Sequence, residues 1–96
     1  MTWRERIAEA RARGTFSLED RRVWASAATC LIGEAAGLVG WGKIDRLKQI
    51  AFPECADGCV QPLMYEALMA NDADGLEALL ERIEDAVLQV KREQAT

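Results

Sequence analysis

Histidine is absent from this chain, and a phosphate-binding loop is missing as well. Without histidine the sequence lacks the commonest general base and the usual partner of a serine or cysteine nucleophile. Gly37, Gly40 and Gly42 follow a predicted helix instead of a strand, and no Ser or Thr follows the lysine after them. We therefore predict a non-catalytic protein that carries no cofactor.

Long apolar runs are missing too. No run approaches the roughly 20 residues that cross a bilayer, so we expect no membrane association. Residues 1–14 mix four arginines with two glutamates, unlike a signal peptide. The expected location is the cytoplasm, where cysteines stay reduced.

What the chain does contain is enough apolar sequence for one core. Half of its 96 residues are hydrophobic, a composition typical of a globular domain, and this length suits a single core. The periodicity of the apolar residues is helical throughout. We predict one domain over residues 1–96, an all-α bundle of four to five helices with a long C-terminal helix.

Caps and apolar stripes place the first two helices. Thr2 with Glu5 forms the pattern of a capping box, and Gly14 ends the first helix. Ser17 with Asp20 starts a second helix whose wide apolar face includes Trp24, Leu31, Leu38 and Val39. Small residues on its opposite face predict close approach of another backbone; they are Ser26, Thr29, Gly33 and Gly37. We expect Glu34, at the border of the apolar face, to pair with an arginine of the first helix.

The second half of the chain predicts three more helices. Gly40–Gly42 breaks the second helix, and Pro53 stops a short third helix near Phe52. Pro62 suits the first turn of a fourth helix. The fifth runs from about Asp72 to Glu93 along a seam of Leu76, Leu79, Leu80, Ile83, Val87 and Val90. Such a helix can outrun a small bundle, which makes a homodimer through this seam one hypothesis.

Charge is segregated along the sequence. Residues 54–85 hold nine acids and one base, a net of −8, whereas the remainder holds seven acids and eleven bases, a net of +4. This pattern predicts either a solvated face or an acidic strip that covers a basic, nucleic-acid-binding surface of a partner protein. The predicted partner-binding residues are Glu66, Asp72, Asp74, Glu77, Glu81, Glu84 and Asp85. A sequence pI near 4.8 argues against direct binding of nucleic acid.

Two further residue types leave alternatives open. Cys30, Cys55 and Cys59 would form a small metal or redox module, although structural zinc prefers four ligands and a two-residue gap within each cysteine pair. The alternative is that Cys30 is a buried apolar residue and the other two are free thiols. All three tryptophans fall on or beside apolar stripes, so we expect core anchors instead of a ligand cage.

A resemblance covers about the first 35 residues. It is carried by Trp3, Arg4, Arg6, Ile7, Gly14, Phe16, Asp20, Trp24, Cys30, Gly33 and Glu34. This pattern resembles uncharacterised small helical proteins of bacteria and their phages, which implies no activity. In type, a short acidic helical chain is also similar to phage inhibitors of host defence such as anti-CRISPR proteins. The leading hypothesis is therefore a non-catalytic protein-protein interaction module, of which a phage-borne stoichiometric inhibitor is one form, with the cysteine module and the homodimer as alternatives.

Overall fold

The computed structural model describes residues 2–55 and 61–95, apart from the side chains of residues 25–30 and 61. These ranges contain helices and no strand, which confirms the all-α prediction. The α-helices are α1 (Trp3–Arg13), α2 (Leu18–Val39), α3 (Ile44–Ala51), α4 (Gln61–Met69) and α5 (Ala73–Ala95). Short 3-10 turns at Trp41–Lys43 and Pro53–Cys55 raise the number of helical segments above the predicted four to five. They form where glycine or proline stops the preceding α-helix.

The helix ends follow the predicted capping chemistry. Ser17 and Asp20 form a complete capping box, each side chain accepting from the other residue's amide. Thr2 accepts from the Glu5 amide, and Gly14 ends α1 in the left-handed region at φ +83°. Asp72 accepts from the Gly75 amide at 2.9 Å before α5. A Cβ at position 75 would meet this carboxylate, so the Asp72 side chain would have to shift to accommodate any other residue there.

Helices α2 and α5 run side by side in the same direction. At their amino ends, the Phe16 amide donates to Asn71 Oδ1 at 3.2 Å. At their carboxyl ends, Gln94 Nε2 donates to the Val39 carbonyl at 2.5 Å. Helices α3 and α4 each contact both members of this pair, and α1 packs against α5. The α2 and α5 pair is therefore the centre of the bundle.

The seam of α5 is buried along its whole length. All six predicted seam residues are in the core, down to Val90, which is 0% exposed. The helix therefore packs within its own domain, which was the favoured expectation, and the alternative that it outruns the bundle does not hold, because α2 and α3 continue alongside its carboxyl half. The seam offers no free surface for a homodimer.

Three predictions for the α2 region are also wrong. Leu38 is 65% exposed and Trp41 66% exposed, so neither is a core anchor. Gly33 faces the Trp41 ring and Gly37 faces open space, so neither supports close contact with another backbone. Leu38, Gly33 and Gly37 fit the helical periodicity of α2. However, no described α-helix covers the face of α2 at any of these three positions. Trp24, in contrast, is fully buried, and its ring centroid lies 4.8 Å from that of Trp3.

Arginines fasten α3 and the turn after it to α5. Arg46 and Glu93 form an ion pair at 2.7 Å. Arg82 Nε donates to the Ala51 carbonyl at 2.8 Å, and the same guanidinium lies 4.7 Å from the Phe52 ring centroid. Arg82 also pairs with Glu54 at 2.5 Å. This hydrogen bond, assisted by a backbone hydrogen bond, holds the pKa of Glu54 below its ordinary value.

The lowered pKa of Glu54 predicts acid sensitivity. A carboxyl group with a depressed folded-state pKa contributes stability above its unfolded pKa of about 4.3, and this contribution is lost as pH falls through the folded-state pKa. We expect Glu54→Gln to have a lower free energy of unfolding than wild type at pH 7. This difference in free energy should disappear at pH values below both the folded-state and the unfolded-state pKa of Glu54. Urea denaturation from pH 7 to pH 2.5 measures this gap. A gap that is independent of pH would contradict the assignment, and Glu81→Gln serves as an unpaired control.

The burial pattern predicts a contrast along α5. Leu76→Ala should lower the free energy of unfolding by about 2 to 5 kcal/mol, because it opens a cavity among fully buried side chains. Leu88→Ala should cost about 0.5 kcal/mol or less, since Leu88 is 54% exposed. Chemical denaturation monitored by circular dichroism compares the two variants. Equal losses would show that the face of α5 assigned to the core is wrong.

Candidate partner-binding surface

Arginines of α1 neutralise part of the predicted acidic strip. Arg11 Nη2 pairs with Asp74 at 2.6 Å and with Glu77 at 2.7 Å. Arg4 hydrogen-bonds Glu84 and lies 3.8 Å from Glu77. The hydrogen bonds that Arg4 donates to Glu84 and Arg11 donates to Glu77 raise the pKa of both arginines. We call the ion pairs of Arg4 and Arg11 with Asp74, Glu77 and Glu84 the charge ladder. This ladder joins α1 to α5, and α1 also buries Ile7 and Ala10.

The ladder follows from the spacing of the charges. Arg4 and Arg11 are two helical turns apart, and so are Glu77 and Glu84, so each pair lies on one face of its helix. The ion pairs run Arg4 to Glu84 and Arg11 to Asp74, so α1 is antiparallel to α5. An antiparallel arrangement brings the two rows into register.

The remaining predicted residues fall into two groups. Asp72 caps α5 through the Gly75 amide. Glu66 on α4 and both Glu81 and Asp85 on α5 are exposed, and no hydrogen bond or ion pair engages these three carboxylates within the described part of the chain. Glu81 and Asp85 lie one turn apart on the outer face of α5. We call these two residues the acidic ridge.

The predicted strip therefore needs correction. Its seven residues do not form one free surface, because Asp74, Glu77 and Glu84 already have partners on α1. Sequence spacing within α5 shows that carboxylates share a face, but it does not show which distant helix covers that face. The signal for the pairing was the matching two-turn spacing of arginines in α1.

A second feature, beside the ridge, was missed by the sequence analysis. An apolar groove of about 550 Å³ lies between α2 and α5, and Trp3 of α1 closes one end. Its floor is made of buried aliphatic side chains: Leu31 and Ala35 from α2, and Leu80, Ile83 and Val87 from α5. Leu38 and Leu88 stand at its rims, 65% and 54% exposed.

Three charged residues also line this groove. Arg4 and Glu84 are bonded to each other at the α1 end. Glu34, on the α2 rim, is exposed and has no hydrogen bond or ion pair to any described residue. The predicted pairing of Glu34 with an arginine of α1 is therefore wrong, because Arg4 turns to Glu77 and Glu84. The signal for Glu34 was its position as the only charge between Arg22 and Lys43.

The cysteine hypothesis lies largely outside the described residues. Cys59 and the side chain of Cys30 are not among them, and Cys55 is a half-buried free thiol. Within the described side chains, no group of three or more cysteine, aspartate or glutamate residues is arranged to hold a metal ion. The cysteine module stays a prediction.

The charge ladder predicts opposite effects for two neighbouring glutamates. Glu77→Gln should lower the urea midpoint by a few tenths of a molar, because Glu77 bonds Arg11 and attracts Arg4. Glu81→Gln should leave the midpoint unchanged or raise it slightly, because it removes a like charge beside Glu77 and Glu84. The difference should shrink in 0.5 M NaCl, which screens surface pairs. Equal midpoints at low salt would contradict the ladder.

Comparison with known proteins finds no matching family model, no similar curated protein and no similar solved structure. Among the described residues, no helix combines the length and apolar character that a bilayer span needs. The surface of the molecule itself therefore indicates where a partner would bind. That surface has two neighbouring parts, the acidic ridge and the apolar groove.

Proposed function

We propose that this protein is a non-catalytic interaction module that binds a basic surface of a partner protein through the acidic ridge. The observation that carries this proposal is the unequal treatment of the acids on α5. Arginines of α1 bond Asp74, Glu77 and Glu84, whereas Glu81 and Asp85 have no such partner within the described ranges. Within the described ranges no ion pair engages the ridge, although Arg4 attracts Glu81 at longer range, so both carboxylates remain exposed to the solvent.

The repulsion between the two carboxylates supports the choice of Glu81 and Asp85 as the binding residues. Like charges one turn apart destabilise a helix by a few tenths of a kcal/mol per pair, and Glu81 and Asp85 have this spacing. A basic partner would convert this repulsion into attraction and would speed the encounter of the two proteins. The missing histidine and the aliphatic floor of the groove favour binding over catalysis. The likeness in type to phage inhibitors of host defence stays a prediction.

The ridge predicts partner capture that depends on charge. We expect immobilised wild-type protein to retain basic proteins from a cell lysate, and Glu81→Gln with Asp85→Gln to lose them. A double variant on α1, Glu5→Gln with Glu9→Gln, changes the net charge equally and should retain them. Quantitative mass spectrometry of the captured proteins, at low salt and at 0.5 M NaCl, measures the difference.

Two results would count against the ridge. Capture that survives the Glu81 and Asp85 substitutions would place the binding surface elsewhere. Equal loss in both double variants would show attraction to net charge alone. Circular dichroism of each variant establishes that the helices are intact before binding is compared.

A further inference from the structure

The groove between α2 and α5 is an unfilled position for a helix. It lies at the amino end of α1, beside Trp3, and continues between the same two helices toward Leu38 and Leu88. Between Leu31 and Leu38 the wall of α2 rises by about 10 Å, or about two helical turns. Helix α1 has only 11 residues, against 22 in α2 and 23 in α5. The shorter helix therefore leaves the carboxyl half of the pair uncovered on this side.

Helix α1 shows what kind of segment this side of the pair accepts. It buries Ile7 and Ala10, places the ring of Trp3 against Trp24 of α2, and directs Arg4 to carboxylates of α5. An amphipathic helix with basic residues beside its apolar stripe thus already occupies the adjoining half. The open groove offers an aliphatic floor with one acid on each helix, Glu34 on α2 and Glu84 on α5.

The charge at the open half is uncompensated. Glu34 has no ion pair within the described residues, and Arg4, the base in the described lining, is already bonded to Glu84. The acidic ridge begins at Glu81, one turn before Glu84 on α5. A basic side chain entering along the α2 rim would meet Glu34 without displacing an existing pair.

A second copy of this chain fits the groove poorly. A two-fold dimer places the same patch of both subunits face to face. The described lining carries two acids, Glu34 and Glu84, and one base, Arg4, so two copies would bring together grooves of the same net sign, which opposes association. A basic partner has no such conflict.

From these observations we infer that the groove binds one amphipathic helix of a partner protein. The helix spans about two turns, inserts large apolar side chains at i, i+3 or i+4, and i+7 spacing, and directs a lysine or arginine to Glu34. This inference rests on the proposed function and specifies the partner's binding element. The ridge attracts the basic partner, and the groove holds its helix.

A pair of synthetic helices tests the inference. One hydrocarbon-stapled peptide of about 14 residues carries leucines at helical spacing and arginines beside them; its twin carries glutamates at the arginine positions. Each is titrated into the full chain labelled at its leucine methyl groups and observed by NMR. We expect saturable shifts at Leu38 and Leu88, with the arginine peptide binding at least tenfold more tightly than its twin.

Matched substitutions locate the site. Leu38→Ser with Leu88→Ser should weaken the arginine peptide about tenfold or more, and both residues are exposed enough to leave the fold intact. Leu18→Ser with Met69→Ser removes equally exposed apolar side chains elsewhere and should have no effect. Glu34→Gln should weaken the arginine peptide about threefold and should not weaken the twin, whose glutamates it relieves of a like charge, whereas Glu66→Gln should change neither.

Three results would overturn the inference. They are the absence of saturable shifts up to millimolar peptide, equal binding of the two peptides, and a dimer in analytical ultracentrifugation that Leu38→Ser with Leu88→Ser abolishes. The last would identify a second copy as the occupant. Failure here with ridge-dependent capture from the lysate would leave the proposed function standing. If ridge-dependent capture is absent but the arginine peptide still binds specifically, the ridge is not the binding surface and the groove remains the binding site.

Discussion

Burial of the apolar seam of α5 is the interaction on which the other helices depend. Helices α1, α2, α3 and α4 all contact α5. Fully burying one large aliphatic side chain stabilises a fold by about 1.5 to 3 kcal/mol, and α5 buries such side chains along its whole length. Because the seam is continuous, each of the shorter helices finds an apolar surface within reach.

Electrostatics then orient the helices that burial brings together. Ile7 and Ala10 give α1 only a narrow buried stripe, and such a stripe sets helix direction weakly. The ion pairs of Arg4 with Glu84 and of Arg11 with Asp74 and Glu77 stabilise the observed antiparallel arrangement, although the equal seven-residue spacing of the two rows would match a parallel α1 as well. Arg46 with Glu93 serves the same purpose for α3. The opposite charges of the two halves of the chain are thus partly consumed inside the molecule.

Local signals in the sequence predicted the helices well, but they predicted poorly which helix faces are buried by another helix. The Ser17 box, Gly14, Pro53 and the Asp72 cap depend on neighbouring residues alone, so each could be identified without tertiary structure. Whether a residue on an apolar stripe is buried depends on a helix elsewhere in the chain. Leu38 lies on the same stripe as the buried Leu31 but beyond the end of α1, and no periodicity within α2 distinguishes them.

The same limit explains why the candidate site was only partly predicted. Glu81 and Asp85 were identified because net charge is readable from composition, but the ion pairs that remove Asp74, Glu77 and Glu84 from the free surface required the position of α1. The groove could not be seen at all, because it is defined by the difference in length between α1 and the pair beneath it. A short helix on a long pair leaves the apolar groove open beyond Trp3, with Leu38 and Leu88 exposed at its rims, and Glu34, which no described ion pair engages, favours an occupant of opposite charge.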